Sequence, residues 1–139
     1  MELNEFILNN FQWDELICDY FQLECKSFME TNSYRLIEQK CNNKCLNPNE
    51  RQQLHKEVQS VFILLIKIMK RACRSLTEKD VLFCCLEKAG LDNFTIGHCM
   101  GDVNKQPINQ RKYRIKKKMK AVNCDFLFDM IFSRSLPVA

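Results

Sequence analysis

Residues 108–119, INQRKYRIKKKM, combine amide, phenol and cationic side chains with a regular set of apolar ones. The apolar residues are Ile108, Ile115 and Met119. Their spacing returns each of them to the same face of an α-helix, so they form one stripe. The amides of Asn109 and Gln110 lie off that stripe, and such an amide can pair with adenine for about 1–3 kcal/mol of discrimination. With Tyr113, they are the candidates for contacts to bases.

The same segment carries an unusual concentration of positive charge. Residues 105–120 hold eight of the 21 Lys and Arg residues and no acid. The rest of the chain has 13 Lys and Arg residues against 17 acidic residues. A local basic stretch on an otherwise acidic chain favours a phosphate-bearing partner, although a solvated helix face has the same composition. Phosphate contacts set affinity and salt dependence without reading sequence. The candidates for them are Lys105, Arg111, Lys112, Arg114, Lys116, Lys117 and Lys118.

The residues upstream predict how this helix is held. Thr77 is typical of a helix N-cap, with Asp80 at the third helical position. A second, short helix is predicted over DNFTIGHCMG, capped by Asp92 or Asn93 and ended by Gly101. Two short helices therefore precede the basic one.

The basic helix itself is predicted to begin at Pro107 and to span about 107–119, because proline is favoured at the first helical position. A last apolar helix is predicted over about 124–132. Helix, short helix, turn and basic helix is the layout of a helix-turn-helix. The apolar residues of the last helix are Phe126, Leu127, Met130 and Ile131. They are candidates for dimer contacts or, equally, for the core of the same domain.

The N-terminal half also has helical patterning. Segments 2–12 and 14–38 show helix-like apolar spacing, with a break near residues 31–33. Asn47 with Glu50 three residues later predicts a capped helix start. One long helix is predicted from there to about residue 74, and its apolar second half is expected at the centre of the core.

Composition indicates an all-α protein. Only three Gly and three Pro occur in 139 residues, and alternating β-branched runs are few. We predict an N-terminal helical region, 1–74, for dimerisation or partner or effector binding, packed with a helix-turn-helix domain, 75–133, and a tail, 134–139. The most apolar run, 61–69, is interrupted by Lys67 and too short to span a bilayer, and the N-terminus MELNEF lacks a secretory pattern. We expect a cytoplasmic protein that does not enter the membrane.

The segment LTEKDVLFCCLEKAGLDNFTIGHCMG, followed by INQRKYRIKKKM, resembles the LuxR-type helix-turn-helix DNA-binding domain, in the variant of Bacteroides-group regulators. The resemblance covers about residues 75–133. It implies a transcriptional regulator whose last helix often mediates homodimerisation. The matching positions are Leu76, Thr77, Asp80, Gly90, Leu91, Ile96, Met100, Gly101, Ile108, Ile115, Lys118 and Met119.

Other candidate sites are weaker. Cys41 and Cys45, with His55 ten residues on, have loose zinc-ligand spacing and no evident fourth ligand, so free thiols are favoured. The odd total of nine cysteines also favours free thiols over a disulfide framework. His98 suits a plain surface or packing role better than phosphate contact. No phosphate loop, nucleophile motif or acid–base carboxylate pair indicates an enzyme, and no pattern indicates a cofactor, a metal or a small-molecule ligand.

These patterns favour one function over two others. The favoured function is a transcriptional regulator that inserts the basic helix, about 107–119, into the major groove of double-stranded DNA. The alternative is a helical adaptor that binds an acidic protein or the transcription machinery. RNA binding is a weaker third possibility, because it needs exposed aromatic side chains for stacking and only Tyr113 is a candidate.

Overall fold

A computed structural model of the chain describes residues 15–101 and 105–132. These residues form eight α-helices joined by short turns and loops. This part of the chain contains no β-strand, so the predicted all-α class is confirmed. The predicted helix at 2–12, the turn at 102–104 and the tail lie outside the described residues. In chain order the helices are α1 Glu15–Met29, α2 Asn32–Lys40, α3 Pro48–Val61, α4 Ile63–Ala72, α5 Glu78–Lys88, α6 Asn93–Met100, α7 Lys105–Ala121 and α8 Asp125–Phe132.

The predicted break after α1 is confirmed at Thr31, which caps α2. Its hydroxyl accepts a hydrogen bond from the backbone N–H of Tyr34 at 3.1 Å. A carboxylate oxygen of Glu57, on α3, accepts from the N–H of Ser33 at 2.9 Å. Two side chains therefore satisfy N–H groups that the first turn of a helix leaves unpaired.

The prediction of one long helix from residue 48 to 74 is wrong, because the helix is interrupted at Phe62, which has φ −87° and ψ 53°. The Phe62 ring is fully buried, 5.5 Å from that of Phe28 between centroids. Glu24 on α1 accepts from the N–H groups of Leu64 at 2.7 Å and Leu65 at 3.2 Å. The break therefore gives a second helix start, which a carboxylate from another helix caps.

The predicted caps of the C-terminal half are confirmed. Thr77 and Asp80 form a reciprocal capping box at the start of α5, and Asp92 rather than Asn93 caps α6. Gly101 ends α6 in the left-handed conformation, with φ 81°. Helix α7 begins at Lys105, before the predicted start at Pro107; proline is tolerated in a first helical turn because those N–H groups have no intrahelical partner.

One continuous hydrophobic core joins the two regions. Helices α3 and α4 both contact α5, while α8 packs against α5 and α7. Cys84 and Cys85 are fully buried within α5, where they pack as small core residues. Among the described helices, none has the length and apolar content that crossing a bilayer requires. Because the core is shared, the N-terminal helices support the C-terminal helices directly.

Candidate nucleic-acid interface

Helix α7 docks through the apolar stripe predicted from its sequence. Ile108, Ile115 and Met119 are at most 1% exposed, and the helix packs against α6 and α8. Burying three such side chains contributes roughly 5–8 kcal/mol of transfer free energy before the entropy cost of ordering them. The basic helix is therefore an integral element of the fold.

A buried carboxylate fixes one flank of α7 to the start of α5. The Asp80 side chain is 4% exposed. Its Oδ1 accepts from Arg111 Nη1 at 2.9 Å, and its Oδ2 accepts from Lys118 Nζ at 2.7 Å. Since Arg111 and Lys118 lie two turns apart on α7, the carboxylate contacts the helix at two points. This Asp80 bridge restrains both the position and the rotation of α7.

The bridge also stabilises the ionised form of Asp80. Burial by itself would raise the pKa of this carboxyl. Hydrogen bonds from the Lys118 ammonium and from the backbone N–H of Thr77 outweigh that effect, so the pKa lies below its ordinary value. The buried charge is therefore retained at neutral pH.

The face of α7 opposite the apolar stripe is exposed and contains the three predicted base-contact residues. Asn109 and Gln110 are exposed, and Tyr113 is 61% exposed. Together with Arg114 they line one open surface depression. We call these four residues and Lys117 the outer face of α7. It has amide, phenol and cationic groups and no acidic one.

Three other predicted phosphate contacts are held near aromatic rings. The ammonium of Lys112 lies 5.2 Å from the Phe132 ring centroid, and that of Lys116 lies 5.6 Å from the ring of Phe128. Both rings belong to α8, so these lysines flank α7 on the side opposite the Asp80 bridge. Lys117 lies 5.3 Å from the ring of Tyr113 on the outer face. These contacts leave the cations near the surface. The Lys105 side chain lies outside the described residues.

The candidate dimer residues on α8 divide into two pairs. Leu127 and Ile131 are at most 2% exposed and belong to the chain's own core. Phe126 and Met130 are half-buried and pack against that core. A dimer contact through this helix would therefore fall to the second pair, and it stays a prediction.

Of the surface and packing roles that the sequence favours for His98, the structure shows packing. Its Nδ1 lies 2.8 Å from the carbonyl oxygen of Cys41, and its ring is perpendicular to that of Phe94, with the two centroids 4.4 Å apart. The side chain is buried, and its backbone carbonyl accepts from the N–H of Leu46 at 3.0 Å. His98 therefore anchors the loop before α3 to α6.

The cysteines predicted as free thiols are unpaired in the structure. Within the part of the chain that the structure describes, no three His, Cys, Asp or Glu side chains are arranged to hold a metal ion. Cys41, Cys45 and His55 all belong to this part of the chain. The weak zinc-ligand spacing of these residues is therefore not matched by a formed site.

The sequence predicts the capping role of Asp80 but not its contact with α7. The capping role depends on residues within four positions, whereas Arg111 and Lys118 lie 31 and 38 residues away. An acid at the third helical position is common for local reasons. The one indication in the sequence is that residues 105–120 contain no acid, so any carboxylate partner of their cations must come from another segment.

Comparison of the chain with family models, with curated proteins and with solved structures finds no match.

Proposed function

We propose that this protein binds double-stranded DNA and regulates transcription, with the outer face of α7 in the major groove. The observation that carries the proposal is the division of α7 into two faces. One face is an apolar stripe at most 1% exposed, and the opposite face has two amides and a phenol among cations, with no acid. A recognition helix needs both faces, because it must be held by the protein while its other side meets the groove.

The division of α7 supports separate roles for its cations. Arg111 and Lys118 orient the helix through Asp80, so we assign them a positioning role. Arg114 and Lys117, both exposed, are the best candidates for phosphate contacts, and Lys112 and Lys116 flank them. Asn109, Gln110 and Tyr113 read base edges in this proposal.

Duplex binding in rising salt tests the electrostatic part of the proposal. The full chain is titrated against a duplex pool of mixed sequence, and log K is plotted against log salt concentration. Each lost phosphate contact reduces the slope magnitude by about 0.9. We expect Arg114→Ala and Lys117→Ala each to have this effect. Lys56→Ala, an exposed position on α3 with the same change in charge, is the matched control and should leave the slope unchanged.

Absence of duplex binding at low salt would refute the proposal and favour the adaptor alternative. Selection from a random duplex library tests the base-reading part. We expect Asn109→Ala and Gln110→Ala to relax the preference at particular positions, each by about 1–3 kcal/mol. Homodimerisation and a cytoplasmic location remain predictions, and a palindromic selected site would support the dimer.

A further inference from the structure

An open groove lies between α3, α5 and α6, at the junction of the N-terminal helices with the helix-turn-helix segment. Its volume is about 360 Å³. Among the described residues, its lining comes from these three helices and includes none of the outer face of α7. The residues that matter here are Arg51, His55, Lys79, Leu82, Cys99 and Met100.

The Arg51 guanidinium is already held in place beside this groove. Its Nη1 donates to the carbonyl oxygen of Leu46 at 2.6 Å, which uses one of five N–H donors. It also packs against Gly101, where an added Cβ would lie 3.1 Å from Nη1. Because this side chain is positioned in advance, a ligand that meets it avoids much of the entropy cost of ordering it.

The polar wall of the groove is predominantly positive. It has the guanidinium of Arg51, the ammonium of Lys79 and the imidazole of His55. A nearby carboxylate, Glu78, has one oxygen 3.9 Å from His55 Nε2, but its other oxygen pairs with Lys70 at 2.9 Å. The negative charge at this edge is therefore offset by a lysine outside the groove.

Apart from the amide of Gln52, the remaining lining is apolar. Leu82 and Met100 are half-buried and Cys99 is buried. A bare phosphate or a DNA backbone would use only the cationic wall, whereas a molecule with both an anionic head and an apolar body matches both surfaces. Concave sites with an apolar lining and a few convergent polar groups are typical of small-molecule binding.

We propose that this groove binds a small organic anion. Its carboxylate or phosphate head pairs with Arg51 and Lys79, and a short aromatic or aliphatic body lies on Leu82 and Met100. The ligand contacts α3 together with α5 and α6, so its binding stabilises the junction of the two regions. This site is separate from the proposed DNA interface and does not depend on it.

Phenyl phosphate is a suitable probe, because it has a dianionic head and a single ring. It is titrated into the ¹⁵N-labelled full chain, and binding is followed from backbone amide chemical shifts. We expect shifts concentrated at residues that line the groove, with inorganic phosphate binding at least fivefold more weakly because it lacks the ring. Thermal unfolding should occur at higher temperature with phenyl phosphate present, since ligand binding to the folded state stabilises it.

Two variants with the same charge change separate this site from general attraction of anions. Lys79→Ala should weaken phenyl phosphate binding at least fivefold, while Lys56→Ala, exposed on α3 and outside the groove lining, should not. Both positions are exposed, so both variants are expected to fold. Leu82→Asn, with folding checked by circular dichroism, should reduce the preference for phenyl phosphate over inorganic phosphate.

Equal binding by the two lysine variants, or shifts confined to α7, would overturn the proposal. Equal affinity for the two probes would also overturn it, because the apolar lining would then contribute nothing. Duplex binding by Lys79→Ala is measured in parallel and should match that of Lys56→Ala. Failure of the groove proposal is thus distinguishable from failure of the DNA proposal.

Discussion

Replacing Asp80 with asparagine removes the charge of the Asp80 bridge and one of its two acceptor atoms with little change in shape. An asparagine oxygen at the Oδ2 position can still accept from the N–H of Thr77, so the local cap is largely preserved. The asparagine NH2 then takes the Oδ1 position, where a donor faces the donating Nη1 of Arg111. What is lost is the negative charge that Arg111 and Lys118 share. The substitution also raises the net charge of the chain by one, so simple electrostatics would predict stronger binding to any anionic partner.

The expected cost to stability follows from the geometry. A hydrogen bond to a charged group contributes about 1.5–3 kcal/mol, and removing one charge leaves roughly half of that. The Lys118 bond at 2.7 Å keeps a neutral acceptor and loses about half, whereas the Arg111 bond at 2.9 Å loses its acceptor. Together they lose about 3 kcal/mol, after allowance for partial solvent screening of Lys118, which is 30% exposed. With a urea slope of about 2 kcal/mol per molar, the unfolding midpoint of Asp80→Asn should fall by about 1.5 M.

Urea unfolding of the full chain at pH 7, followed by circular dichroism, measures this difference. Asp129→Asn is the matched control, because it makes the same chemical change at an exposed position on α8. Its unfolding free energy should stay within about 0.5 kcal/mol of the unsubstituted protein. If Asp80→Asn falls in that same range, the bridge does not hold α7 and the reasoning is wrong.

The pH dependence of Asp80→Asn stability gives an independent check of the direction in which folding shifts the pKa of Asp80. Folding lowers the pKa of Asp80 below its ordinary value of 3.8, so the ionised carboxylate stabilises the fold at pH values above that. The difference in unfolding free energy between the parent protein and Asp80→Asn should be constant above about pH 5. It should shrink as the pH falls through 3.8 toward the lowered pKa. A difference that grows on acidification would contradict the assigned shift.

Two further predictions concern the core. Glu24→Ala should lower the unfolding free energy by about 1–2 kcal/mol in urea, because it removes the cap on the first turn of α4, whereas Glu30→Ala, at an exposed position, should have little effect. Mass spectrometry of native protein treated with a thiol reagent should find half-buried Cys45 modified well before Cys84 and Cys85. Burial raises the pKa of those two thiols well above the ordinary value, so early modification of either would contradict their place in the core.

The features that could be predicted from sequence are those decided by nearby residues. The caps at Asn47, Thr77 and Gly101 depend on side chains or backbone conformations within a few positions, and all three are confirmed. The apolar stripe of α7 was predicted for the same reason, because a periodic pattern reports a buried face directly.

The features that could not be predicted depend on contacts between distant residues. The break at Phe62 interrupts an apolar sequence that contains no proline or glycine, and it is accompanied by Glu24, 40 residues before Leu64. Tertiary packing of the Phe62 ring and this cap outweigh local helix propensity. No motif indicated the groove near Arg51 either, because three separate helices line it.

The separation of the α7 cations into those paired with Asp80 and those left available limits how strongly salt should weaken DNA binding. A count of charges would make each of its eight Lys and Arg residues a phosphate contact, which corresponds to a log–log slope of about −7. Arg111 and Lys118 already pair with Asp80, and the remaining described cations are Lys112, Arg114, Lys116, Lys117 and Lys120. Five contacts correspond to a slope of about −4.5, and removing the Asp80 charge makes Arg111 and the less firmly held Lys118 available as well. Asp80→Asn should therefore steepen the salt dependence on mixed duplexes toward −6 while it weakens discrimination among sequences, since discrimination needs α7 held in one orientation.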